Sequence, residues 1–335
     1  MFALAAALLC ALTAAAVGAP AGATPAQRAA ADDPLEGVRF FVDREAPAWL
    51  AWRRASGPRK RLLWKIAREP KAQWYGRFTR PASQFRAKVR RPLEAARRQG
   101  TVPLFTVMRA ESTQCHPGYQ ASGPAEDARA RRWYAKFARA IGSARAVIAF
   151  EPDSLGTIRC HARSRRDDRK RLLRYGVSKL AALPNTTVYI EAGASDWMTP
   201  RQAAKLLRQV GVGRVRGFML NATHFDWTAA NVRHGLAISR LLGGKHFIVN
   251  TAHNGRGPHR RSGLRRHEWC EPPGRGLGPP PTTDTMHPLV DAYLWVNRPG
   301  YDQSCGGRKI AWNTRKALGL ARRATSWVSP ASRRR

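Results

Sequence analysis

The chain has 335 residues, with 59 Lys and Arg against 22 Asp and Glu, a formal charge of +37. At 43% hydrophobic residues it is too apolar to be wholly disordered and holds enough for one large core, or at most two domains; 28 Gly and 23 Pro are too few for a collagen-like or linker protein. The charge excludes an acidic surface and makes incidental contact with polyanions, such as anionic wall polymers, the default, without making nucleic-acid binding the function.

Residues 1–19 are an Ala/Leu-rich apolar run ending in Val17-Gly18-Ala19, small residues of the kind a signal peptidase reads. No Lys or Arg precedes the run, and a retained anchor of similar length is the competing reading. The run is read as a cleaved signal peptide, which predicts a secreted chain. Residues 20–37 read as a disordered lead-in, 38–328 as one domain and 329–335 as a basic tail. Cys10 leaves with the signal. Cys115, Cys160, Cys270 and Cys305 remain, an even number without a CxxC, which fits two disulfides in an oxidising compartment.

Short, nearly continuous apolar runs then recur at 38–42, 102–107, 146–150, 187–191, 215–220, 246–250 and 289–296, as strands buried on both faces require. Helical patterns fall at 48–64, 126–141, 167–182, 200–210, 229–242 and 310–327. A long Gly/Pro/Arg segment, 254–287, joins the last two strands and reads as an active-site loop. Seven strands alternating with helices predict a parallel α/β sheet, open or closed as a barrel. No repeat of solenoid or propeller period is visible.

In such a sheet the chemistry gathers past the C-terminal strand ends. Those positions hold Arg109, Glu111 and Gln114, then Glu151-Pro152-Asp153, then Asp196 and Trp197. They continue with Asn221 and His224, Asn250 and His253, and Asn297 through Asp302. The set combines carboxylates, amides and Trp, whose flat ring suits a sugar face. Most of the 11 Trp are expected to be structural; Trp197 and Trp269 stand out because they lie in loops beyond strand ends. No GxSxG, phosphate loop, HExxH or tight His spacing occurs, so no metal or cofactor is expected.

EPDSLG, VRGFMLNATHF, LGGKHFIVNTAHNGRG, EWCEPPGRGLGPPPTTDT and HPLVDAYLWVNRPG, in that order and followed by Cys305, resemble glycoside hydrolase family 6. That family comprises endoglucanases and cellobiohydrolases of β-1,4-glucans, and the resemblance spans about residues 38–327. It implies a single-domain, distorted, incomplete parallel α/β barrel of about seven strands. It also implies two disulfides, Cys115–Cys160 and Cys270–Cys305, and inverting hydrolysis of a β-glucan. Asp153 of EPDSL matches the general acid. Its place after a buried strand, beside Pro152, suits a raised pKa. The resemblance puts substrate contacts at Trp49, Trp197, Asn221, Trp269, Asn297 and Tyr301.

The departures from the pattern are specific. Gln114 stands where the family has the Asp that tunes the acid. Met108 replaces a Tyr, Asn250 an Asp, His253 an Arg, Ala194 a His, Asn297 a Lys and Tyr301 a Glu. The base Asp maps to Gln303 counting from Gly300, or to Asp302 counting back from Cys305; the second count makes Asp302 the candidate base. Two functions follow: a secreted, monomeric β-1,4-glucanase, or a glucan-binding relative with little turnover. A basic polymer-binding protein is a third reading, with no nucleic-acid motif behind it. The Arg-rich stretch 256–266 predicts a preference for anionic glucans.

Overall fold

A computed structural model describes residues 33–79, 81–110, 123–259, 271–303 and 310–324. The predicted signal, most of the lead-in and the basic tail lie outside the described residues, as do Gln114, Trp269, Cys115, Cys270 and Cys305.

Seven strands form one parallel sheet in sequence order: β1 Gln73–Gly76, β2 Leu104–Met108, β3 Ala146–Phe150, β4 Thr186–Glu191, β5 Gly217–Leu220, β6 His246–Asn250 and β7 Val290–Leu294. The connecting helices are α1 Pro47–Arg54, α2 Gly57–Ala67, α3 Phe85–Arg98, α4 Pro124–Ile141, α5 Arg166–Ala181, α6 Pro200–Val210, α7 Thr228–Leu241 and α8 Thr314–Arg322. Alternate residues separate into two layers. Leu104, Val147, Ala149, Tyr189, Met219, Ile248, Ala292 and Leu294 fill the inside of the curl. Phe105, Ile148, Phe150, Ile190, Phe218 and Phe247 face the helices. Burial on both faces is why these strands read as continuous apolar runs.

The curl is a barrel left open by one ladder. Between β7 and β1 the Ala72 amide bonds Trp295 O at 3.0 Å, and Trp74 Nε1 and Thr106 Oγ1 reach Val296 O at 2.8 and 3.3 Å. Side chains thus span the gap that a strand pair would otherwise close, and the incomplete barrel expected from the resemblance is what forms.

Four expectations need correction. Residues 38–42 do not form a sheet strand: only Phe40 bridges Val102. The first strand is instead Gln73–Gly76, whose sequence QWYG is polar and aromatic because this strand borders the open seam. The helix expected at 48–64 is two helices: Ala55 and Ser56 are extended, Gly57 takes φ +49°, and Pro58, in the first turn of the second helix, has no N–H to bond back to the first. Helix α3, missed in an Arg-rich stretch with an internal Pro92, buries Phe85, Val89, Pro92, Leu93 and Ala96 on one face. The last helix is the shorter Thr314–Arg322, started by the Asn313 side chain accepting from Lys316 N. Among the described residues no helix is long and apolar enough to cross a membrane.

Candidate active site

The strand-end turn after β3 is strained. Glu151 and Asp153 flank Pro152 with φ of +58° and +67°, a region that costs non-glycine residues about 1–3 kcal/mol each. Glu151 holds the turn in place. Its buried carboxylate accepts from Arg109 N and Ala110 N, both at 2.8 Å, from Tyr134 OH at 2.7 Å and from Ser154 Oγ at 3.1 Å. Burial pushes the Glu151 carboxyl up, while these donors pull it back. This residue ties the ends of β2 and β3 together and leaves Asp153 to face the mouth.

The Asp153 side chain does not cap the short 3₁₀ turn Gly156–Cys160; its backbone carbonyl does, accepting from Thr157 N at 2.9 Å. The carboxylate instead accepts from Thr223 Oγ1, in the loop after β5, at 2.5 Å. Beneath it lies Glu191, the last residue of β4 and 1% exposed. Glu191 accepts from Gly193 N at 2.7 Å and from the Asp153 amide at 3.2 Å. Burial first, and then the charge of Asp153, hold the Glu191 carboxyl well above the ordinary carboxylate range. Glu191 was missed as a site residue, although a lone acid closing an apolar run was a visible signal.

An amide floor continues from β5 to β7. Asn221, at φ +68°, donates to Asn250 O at 3.0 Å, and Asn250 Oδ1 accepts from Asn297 N at 3.1 Å. Asn297 Nδ2 donates to Ala222 O at 3.1 Å, and its Oδ1 accepts from Gln303 Nε2 at 3.2 Å. Gln303 therefore reaches the floor. The Asp302 carboxylate is turned elsewhere, accepting from Asn313 Nδ2 at 3.1 and 3.3 Å. Tyr301 meets Trp312 edge-on at 5.7 Å. The Arg298 guanidinium lies over both Tyr301 and Trp74, at 4.7 and 5.4 Å. Trp74, on β1, is thus a half-buried aromatic of this region that the sequence reading did not single out.

Trp197 stacks on His224 at 4.8 Å and 14°, and His224 Nδ1 lies 2.8 Å from Asp196 Oδ1. The indole also covers Gly156, in the loop of the acid. A Cβ at Gly156 would sit 2.2 Å from Trp197 Cζ2, so only glycine admits the ring. Gly156→Ala should therefore displace Trp197 and cost about 1–3 kcal/mol of stability, read as a lower denaturation midpoint with altered Trp fluorescence. An unchanged spectrum would count against this packing. Trp49 lies apart, with its ring contacts to Trp52 at 4.9 Å, Trp64 at 6.0 Å and the Arg44 guanidinium at 5.4 Å. Trp227 is an exposed indole in the loop after β5.

A strained carboxylate, a buried partner carboxyl, an amide floor and a stacked indole therefore line one end of the barrel. The sequence profile of Glycosyl hydrolases family 6 matches residues 35–329. Endoglucanase A of Cellulomonas fimi is 34% identical over 289 residues, 85% of this chain but 61% of that protein, so the chain spans about three-fifths of that relative's length. Endoglucanase 1 of Streptomyces halstedii is 29% identical over 307 residues, 90% of both chains. The structure of endoglucanase Cel6 from Mycobacterium tuberculosis, in complex with methyl-cellobiosyl-4-deoxy-4-thio-β-D-cellobioside, superposes with a TM-score of 0.79. It is 36% identical, over 87% of this chain and 99% of that one. On the fold, the order of its motifs and these matches, the chain belongs to glycosyl hydrolases family 6.

Proposed function

We propose that the chain hydrolyses β-1,4-glucosidic bonds of cellulose-like glucans with inversion, Asp153 serving as general acid. The observation that carries this is the Asp153–Glu191 pair at the mouth of the barrel, with the Asp153 carboxylate oriented by Thr223. Glu191 accepts from the Asp153 amide, and burial and then the Asp153 charge favour its protonated form, so the two acids do not both ionise readily. That makes Glu191 a second acid beside Asp153, which the amide Gln114 cannot be.

In the reaction Asp153 gives its proton to the glycosidic oxygen as the bond to C1 breaks. Water attacks C1 from the opposite face and loses its own proton to a base. Asp302 is proposed for that role, relayed by water because its carboxylate points to Asn313. Trp197 offers a sugar platform next to the acid, and Asn221 and Asn297 fix the floor. Trp49, Trp269 and Tyr301 are proposed as outer sugar contacts. The protein is proposed to act as a monomer after export and removal of residues 1–19. Cys160 is disulfide-bonded, which suits an oxidising compartment; pairing with Cys115, and of Cys270 with Cys305, is part of the same proposal.

A second reading, a glucan-binding relative with little turnover, is favoured by one observation: the residue that reaches Asn297 is the amide Gln303. Proton NMR of cellohexaose during digestion separates the two. Products that appear first as α-anomers support the inverting hydrolase, and β-anomers first would refute inversion. Binding without any release would establish the second reading.

A further inference from the structure

At the far end of the barrel from Asp153, beneath the N-terminal ends of β3 to β5, lies a cavity of about 410 Å³. Three guanidinium groups line it, from Arg145, Arg214 and Arg216, and among the described residues no carboxylate does. Arg216 is neutralised from beneath: it donates to Asp291 at 2.9 and 3.0 Å, with Asp33 at 3.9 Å. Among the described residues the other two carry no such counter-charge. Arg145 donates to Pro34 O at 3.1 Å and Arg214 to Ser178 Oγ at 2.8 Å, and among the described residues neither pairs with a carboxylate. Each guanidinium has five N–H groups, so each retains donors for a ligand. Lys245 adds to the positive field, donating to Val215 O at 2.7 Å; burial and then Arg216 lower its pKa.

The rest of the lining decides what kind of anion fits. Asn185, Thr186 and Thr187 offer neutral polar groups, and the Thr186 Oγ1 is buried without a hydrogen-bond partner. Ala181, Pro184, Val188 and Val215 supply apolar wall. A bare phosphate would use the arginines and leave that wall unfilled. A neutral sugar would use the wall and leave two cations partly desolvated without compensation. Among the described residues no aromatic side chain lines the cavity, so they offer no platform on which a nucleobase would stack. An acidic sugar satisfies every part: its carboxylate takes a guanidinium in a bidentate pair, its C–H face meets the wall, and its hydroxyls meet Asn and Thr. The volume falls in the range of small-molecule sites.

We propose that this cavity binds an acidic sugar residue, a hexuronate unit of an anionic polysaccharide, at the end of the barrel opposite the catalytic mouth. The site is independent of the hydrolase reading. It would hold the protein on an acidic matrix while the mouth stays open to glucan.

The test is isothermal titration of the whole chain with tri-galacturonate, cellotriose and inorganic phosphate at low and high salt. The variants are Arg145→Gln/Arg214→Gln and, as a control with the same loss of charge, Arg53→Gln/Arg54→Gln on α1. All four residues are exposed, so folding should survive, and thermal melts verify it. Tri-galacturonate should bind in preference to phosphate, while cellotriose, which the mouth takes, should bind equally in all three proteins. The affinity for tri-galacturonate should fall at least about ten-fold in the cavity variant, the size expected for losing charge-assisted hydrogen bonds, and stay within about two-fold in the control. Hydrolysis of neutral glucan, followed separately, should be the same in all three proteins. Absence of tri-galacturonate binding, equal loss in the control, or phosphate binding as tightly as tri-galacturonate would each overturn the proposal.

Discussion

Asp153→Asn should reduce turnover of soluble β-1,4-glucan by about 10²–10⁴-fold, the range that general acid catalysis supplies. The loss follows from removing the proton that the leaving oxygen needs. It should not come from misfolding. Asn adopts the left-handed backbone found at this position, φ +67°, more readily than most residues, and its side-chain oxygen still accepts from Thr223. The melting temperature should therefore stay level or rise. A substrate with an activated aryl leaving group departs without protonation, so the variant should retain far more of its activity on an aryl cellobioside than on glucan. Equal losses on both substrates would remove Asp153 from the acid role. A companion measurement is the pH profile of Glu191→Gln. Because burial and then the Asp153 charge keep a proton on Glu191, the pair holds a proton that Gln cannot share, and the basic limb of activity should shift downward in the variant.

Asp291→Asn should destabilise the fold by about 3–5 kcal/mol, the usual cost of breaking a buried ion pair by removing one partner. Asp291 is 1% exposed within the barrel wall. It accepts from Arg216 twice, from Tyr189 OH at 2.5 Å, and lies 2.7 Å from His246 Nδ1. The register shift between Phe247 and Ile248 along β6 makes room for this extra residue on β7. Its carboxyl sits below the ordinary value because the hydrogen bonds from His246, Arg216 and Tyr189 outweigh the burial that opposes them. The sign follows from that direction. The contribution is present above the unfolded carboxylate pKa of about 4 and is lost as pH falls through the lower folded value. Urea midpoints should thus differ most between wild type and variant near neutral pH and converge in acid. A difference that persists at low pH would assign the loss to packing instead of charge.

The strands from β2 to β7 were legible because burial leaves a local mark, a short run rich in apolar residues. The first strand was not. It sits at the open seam, where one side needs no sheet partner, so Gln73 and Trp74 carry no such mark while the apolar run at 38–42 does. Residues 57–58 show a similar limit: periodicity joined α1 and α2, and one positive φ followed by proline separated them.

At the site, the order of motifs placed Asp153, Trp197, Asn221 and Asn297 on one end of the barrel, because a parallel sheet sends every strand end the same way. Sequence could not say which loop residues meet across that end. Thr223 and Glu191 reach Asp153 from β5 and β4, and His224 reaches Trp197, through contacts between residues 27 to 70 positions apart. Counting residues from Gly300 or from Cys305 gave two places for the base. The backbone after β7 turns Asp302 to the start of α8 and Gln303 to Asn297. The sequence by itself determined the class of fold and its family, since these rest on local burial pattern and residue order, and it singled out Asp153 as the proposed acid. Only the tertiary structure decided the partners of each charge, because hydrogen bonding and desolvation are set by side chains that the fold, not the chain, brings together.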